Sequence, residues 1–173
     1  MVLYLGSQDI YDFIAQSGAD LSTDAGGENI ERIIIAENSE NAIAAVKFAM
    51  DNQLPLLGIL DGYQSVVTAF GGSCRAVDCA EGKQEWAVLD TSAPIFQGFE
   101  TVVKICRGNP VALDEEAKPQ ELDCIARAET GEILGVRNVL DGGEYGHIYG
   151  INYYIHSSLT ANGFDIIDNF LNL

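Results

Sequence analysis

The tightest constraint on the fold is the run Leu54-Pro55-Leu56-Leu57-Gly58-Ile59-Leu60-Asp61-Gly62-Tyr63-Gln64, which leads on to Gly71-Gly72. The apolar stretch over 54–59 predicts a buried strand, Gly58 and Gly62 flank a sharp turn, and 63–70 predicts a helix. A strand, a Gly-flanked turn and a helix in that order make the layout of a nucleophile elbow, G-x-Nuc-x-G, which lifts one side chain at the helix N-terminus. The middle position is Leu60. Leucine has no lone pair to attack with and no proton to give. The layout therefore predicts a platform for covalent chemistry without its nucleophile.

The segments before the elbow alternate strand and helix. Strands are expected over 2–5 and 32–36, with an edge strand over 19–21; a helix over 8–17 is capped by Ser7, and another over 40–52 by Ser39. Ile33-Ile34-Ile35 is a β-branched run suited to a parallel strand buried on both faces. Ile43, Val46 and Met50, widened by Ala42, Ala45 and Ala49, form the stripe of the second helix. A polar, Gly-rich loop is expected over 22–29. After Gly72 the segments shorten and become strand-like, over 75–78, 84–89, 101–105, 122–128, 133–139 and 148–154. Residues 114–119 read as an acidic loop. Thr160 is expected to cap a last helix whose stripe is Phe164, Ile167 and Leu171. The fold class is thus α/β: a three-layer, mostly parallel central sheet with helices on both faces, flavodoxin-like, with antiparallel additions in the second half. With 47% hydrophobic residues and 173 in all, the chain can bury one sizeable core, so 1–173 reads as a single domain.

Charge excludes some functions. Twenty-six acidic against nine basic residues, a net charge of −17, argue against nucleic acid and against anionic membrane surfaces. The acidity is read either as solubility or as the mark of a basic partner subunit. The start has no basic n-region and no long apolar run, so the expected compartment is the cytoplasm. The four cysteines, Cys74, Cys79, Cys106 and Cys124, form no C-x-x-C pair, and His147 and His156 are not spaced as companions. No metal and no cofactor are expected, and the thiols read as small hydrophobes of a reducing compartment.

Three motifs in order resemble the class I glutamine amidotransferase domain. The family's elbow, P-[IL]-L-G-[IV]-C-L-G-H-Q…A-F-G-G, is matched by Pro55 to Gln64 and then by Ala69-Phe70-Gly71-Gly72. Ala128-Glu129-Thr130-Gly131-Glu132-Ile133-Leu134-Gly135-Val136-Arg137 is similar to its A-x-[ST]-x-D-G-x-I segment. Gly150-Ile151-Asn152-Tyr153-Tyr154-Ile155-His156, with Thr160, Gly163 and Asn169-Phe170-Leu171, is similar to its closing G-[VT]-Q-F-H-P-E motif. The resemblance implies a Cys nucleophile, a His base and an orienting Glu that together hydrolyse glutamine. Those positions are Leu60, Tyr154 and His156, so no catalytic residue is expected. The Gly-rich oxyanion loop is replaced by Ala36-Glu37-Asn38-Ser39, where Glu37 would bring the wrong charge.

The resemblance further implies a binding, regulatory or scaffold subunit that has lost glutaminase activity, beside a separate synthase-type or other protein chain. A small amino-acid ligand at Asp61, Gly62, Tyr63 and Gln64 is a further candidate; hydrogen bonding within the elbow helix is the other reading of Gln64. The competing reading is a hydrolase or lyase of another kind that reuses the pocket through His156, Tyr63 or Asp61. It predicts an open polar cleft above 58–62.

Overall fold

The computed structural model describes residues 1–27 and 29–173. The loop expected over 22–29 includes Glu28, which lies outside the described residues. The first half alternates β1 (Val2–Leu5), α1 (Gln8–Ala15), β2 (Leu21–Ser22), β3 (Arg32–Ile35), α2 (Glu40–Asn52), β4 (Leu56–Ile59) and α3 (Asp61–Ala69). The second half is strand-rich: β5 (Cys74–Ala76), β6 (Gln84–Leu89), β7 (Val102–Cys106), β8 (Val111–Leu113), β9 (Leu122–Ala128), β10 (Ile133–Val139) and β11 (Tyr145–Ile151), closed by α4 (Gly163–Leu171).

Nine strands form one sheet in the order β2-β1-β3-β4-β11-β10-β9-β6-β7. From β2 to β11 the neighbours run parallel, and from β11 to β7 they run antiparallel. One face carries a core built with Ile10 and Ile14 of α1 and Ile166, Ile167 and Phe170 of α4. The other is covered by α2, α3 and the two-stranded sheet of β5 and β8. This is the expected three-layer α/β fold with antiparallel additions.

Several local expectations change. The buried stripe of α2 consists of Ala42, Ala45, Val46 and Ala49, while Met50 is 41% exposed. Small side chains let this helix lie close to the sheet, so the larger ones flank the contact. Ser39 caps α2 as expected, accepting the Ala42 N–H at 3.0 Å. Ser7 makes no side-chain cap, and its carbonyl instead accepts the Tyr4 hydroxyl at 2.7 Å. Thr160 does not cap α4 either. Its hydroxyl accepts the Cys106 N–H at 2.9 Å and donates to the Tyr154 carbonyl. The cap position of α4 is Asn162, and the helix buries Gly163, Ile166, Ile167 and Phe170 in place of the Phe164/Leu171 edge. β5 leaves the main sheet to pair with β8, a three-residue strand that propensity does not reveal. β11 begins at Tyr145 and ends at Ile151, so Tyr153 and Tyr154 lie beyond it. There they are held by the edge of β7, through an Arg107–Tyr153 bridge and a Tyr154 N–H bond to the Cys106 carbonyl at 3.0 Å.

Candidate functional site

The elbow stands at the C-terminal end of β4, between β3 and β11. Leu60 has φ 55° and ψ −111°, the left-handed backbone of a strained strand-to-helix turn, and α3 starts at Asp61, two residues earlier than expected. Two close approaches force this shape. A Cβ on Gly58 would meet the Gly62 carbonyl oxygen at 2.5 Å, and one on Gly62 would lie 2.0 Å from the Ile35 carbonyl oxygen. Both positions therefore require glycine for space, whatever stands between them. The Leu60 N–H bonds to the Ile151 carbonyl at 2.8 Å, which ties the apex to β11. The Leu60 side chain is 8% exposed and packs into the core on the α1 and α4 side. An apolar group thus occupies the apex and is turned inward.

Tyr154 and His156 lie beside the elbow, in the segment after β11. The Tyr154 hydroxyl donates to Glu81 Oε1 at 3.0 Å. Burial first, and the Glu81 carboxylate second, push its pKa up to about 12, so at neutral pH it holds its proton. The rings of Tyr154 and His156 meet edge to face at 5.6 Å. His156 Nε2 is 3.9 Å from Asp9 Oδ2, while its Nδ1 is buried without a hydrogen-bond partner among the described residues. The Glu37 carboxylate is turned to the Ser39 hydroxyl at 2.6 Å, by the α2 cap.

Of the four candidate ligand residues, Asp61 and Gln64 bond to each other at the surface, while Gly62 and Tyr63 are packed inside. Asp61 is exposed and accepts from Gln64 Nε2 at 3.0 Å and Asn109 Nδ2 at 2.7 Å. Gln64 is thus engaged within the elbow helix. Gly62 is packed on β3. Tyr63 is fully buried in the core on the α2 side; its hydroxyl donates to the Ile133 carbonyl at 2.8 Å and accepts the Leu113 N–H at 3.0 Å. It pins the β5–β8 sheet to the main sheet and faces away from the apex. Cys74 is not an activated thiol, because burial pushes its pKa up to about 11.

Sequence reasoning missed Glu81, Asp9, Asn109 and Arg107. Arg107 is fully buried, 2.8 Å from Glu85 and 3.8 Å from Glu132. No local pattern marks these residues, because each meets its partner only through tertiary contact with a segment distant along the chain.

The chain is similar to proteins of one family over most of its length. It is 29% identical over 151 residues to anthranilate synthase component 2 of Cyanophora paradoxa, which covers 83% of this chain and 76% of that one. Over 138 residues it is 29% identical to aminodeoxychorismate synthase component 2 of Klebsiella aerogenes, covering 79% and 70%. A solved chain from Thermoplasma acidophilum, assigned to GMP synthase, superposes with a TM-score of 0.81 at 17% identity, over 99% of this chain and 92% of that one, a likeness of fold. The family model of glutamine amidotransferase class-I matches residues 27–172. With the elbow geometry and the three motifs, this match shows that the chain belongs to the class I glutamine amidotransferase family.

Proposed function

We propose that this chain is a glutamine amidotransferase-like subunit that does not hydrolyse glutamine and serves in binding or regulation beside a separate synthase-type chain. The observation that carries the proposal is the elbow apex. Its backbone keeps the strained turn that presents a nucleophile, and its side chain is an inward-packed Leu60. Losing a triad nucleophile or base costs about a million-fold in turnover, and once one is lost the others are free to change. Tyr154 and His156 at the base and orienter positions fit that course. A neutral tyrosine bonded to Glu81 is no base, and a histidine does not orient one as a carboxylate does.

Both synthase relatives named above are second components, which supports a separate synthase-type partner. The net charge of −17 favours a partner with a basic face. The four cysteines are unpaired thiols, in keeping with the cytoplasm; no helix among the described residues is long and apolar enough to cross a membrane. The 173 residues act as one unit in this reading.

The test is ammonia release from glutamine by the purified protein, alone and with a co-purifying chain. The expected rate equals that of a protein-free blank. Release above that blank, growing with protein concentration, overturns the reading. Calorimetric titration with glutamine and glutamate decides separately whether amino-acid recognition persists at the elbow.

A further inference from the structure

Three steps in this chain join an aspartate or asparagine to a following glycine: Asp61-Gly62, Asp141-Gly142 and Asn162-Gly163. Such a pair carries an internal reaction. Glycine has no Cβ to shield its amide nitrogen, and its backbone turns freely. That nitrogen can therefore reach the side-chain carbonyl carbon of the residue before it. The structure treats the three steps differently.

Two of them are locked. Gly62 lies in α3, packed on the Ile35 carbonyl, and Asp61 Oδ1 accepts from both Gln64 and Asn109. Gly163 opens α4 and is buried, where a Cβ would run into the Ile155 carbonyl. Its neighbour Asn162 is set at φ 55°, ψ 30°, and its carbonyl accepts the Asp165 N–H at 3.0 Å. Bringing either glycine nitrogen onto the preceding side chain means opening a packed helix start.

Asp141-Gly142 is under no such restraint. It forms the tip of the turn between β10 and β11, and residues 140–145 are all exposed. Gly142 has φ +96°, Gly143 follows at +86°, and a Cβ on either would meet no atom within 4 Å. Neither the Asp141 carboxyl nor the Gly142 N–H makes a hydrogen bond among the described residues. The turn is closed around them, by the Leu140 N–H to the Glu144 carbonyl at 2.7 Å and the Gly143 N–H to the Leu140 carbonyl at 3.0 Å. Exposed tips of small and polar residues are where a chain is least tied down.

We propose that this turn is a site of spontaneous covalent modification, in which Asp141 closes to a succinimide with Gly142 and reopens as isoaspartate. The Gly142 nitrogen bonds to Asp141 Cγ and gives up its proton. The Cγ–OH bond of the carboxylic acid breaks, and the hydroxyl leaves with that proton as water. A water molecule then adds to either carbonyl of the five-membered ring. Opening at the side-chain carbonyl returns aspartate. Opening at the main-chain carbonyl leaves the chain running through Cβ and Cγ. One water leaves and one returns, and nothing is oxidised or reduced. The product puts an extra methylene inside the ring closed by the Gly143–Leu140 bond, and a free α-carboxylate at the tip. There it is open to an enzyme that methylates isoaspartyl carboxylates from S-adenosylmethionine. The site is independent of the elbow and of whether the chain hydrolyses glutamine.

The test is incubation of the folded protein in heavy-oxygen water at mildly acidic pH. Tandem mass spectrometry then locates the label residue by residue and separates isoaspartate from aspartate. Each closure and reopening of the ring leaves one heavy oxygen in the residue that closed it. Asp141 is expected to gain label about tenfold or more faster than Asp61, which reacts only through local opening. In the urea-unfolded chain Asp61 is expected to come within about threefold of Asp141, because the fold no longer separates them. Methyl acceptance from a purified isoaspartyl methyltransferase should rise with the label in the wild type. It should be lost in Asp141→Glu, whose closure would need a six-membered ring. No label at Asp141, equal labelling of Asp61 in the folded chain, or methyl acceptance that persists in Asp141→Glu overturns the proposal.

Discussion

The backbone at Leu60 has a consequence that two substitutions can measure. A non-glycine residue at φ 55°, ψ −111° sits in a sparsely populated region at a cost of about 1–3 kcal/mol. Glycine enters such regions freely but loses about 0.5–1 kcal/mol against alanine through its freedom in the unfolded chain. The difference leaves Leu60→Gly more stable than Leu60→Ala by about 1 kcal/mol. Both fall below the wild type by the cost of removing a packed leucine, about 2–5 kcal/mol, since Leu60 is 8% exposed. At an ordinary strand position the order reverses; Leu134→Ala and Leu134→Gly, at a fully buried position near the start of β10, supply that control. Urea unfolding followed by circular dichroism gives the ranking, and calorimetry should separate the two Leu60 variants by about 2–4 °C for a chain of this size. An alanine variant as stable as the glycine variant, or more so, would refute the strained apex.

Other predictions concern the frame around the elbow. Gly62→Ala should cost about 3 kcal/mol or more, because its Cβ would lie 2.0 Å from the backbone oxygen of Ile35. Gly71→Ala meets no atom within 4 Å and pays only for φ +83°, about 1 kcal/mol; paired thermal melts check the contrast. Arg107→Met should lower stability by about 3–5 kcal/mol, since it leaves Glu85 and Glu132 without their buried cation; urea midpoints report it. Tyr154 has a folded pKa of about 12 against 10.0 in the unfolded chain, so the folded state holds the proton longer. Its contribution is complete below pH 10 and is lost as pH rises toward 12. Tyr4, Tyr63 and Tyr153 shift in the same direction through burial. Urea midpoints should therefore fall steeply above about pH 10, and Tyr154→Phe should make the fall shallower; an unchanged slope counts against the Tyr154 assignment.

Much of this molecule was legible in its residues because two kinds of signal are local. Periodicity marks Ile33-Ile34-Ile35 as a doubly buried strand, and β3 is buried there on both faces. Spacing marks Gly58 and Gly62, whose missing side chains are required by contacts of 2.5 and 2.0 Å. Tertiary contact decides the rest. Tyr63 reads as a candidate proton donor because it stands next to the turn, yet the helix carries it to the far side, where two backbone groups occupy its hydroxyl. Thr160 has the right residue type for a cap, but β7 lies close enough to claim its hydroxyl first. The surroundings of Tyr154 and His156 depend on Glu81 and Asp9, each distant from them along the chain.

The most direct test of the central claim, a kept platform with its chemistry removed, is to return the chemistry. Leu60→Cys, Tyr154→His and His156→Glu are combined in one chain, and ammonia release from glutamine is followed beside the wild type, with mass spectrometry for a glutamyl adduct on the new cysteine. The account predicts a silent wild type and a triple variant that acquires the adduct and measurable turnover. Glutamine hydrolysis by the wild type, abolished by changes elsewhere but not at Leu60, would contradict it.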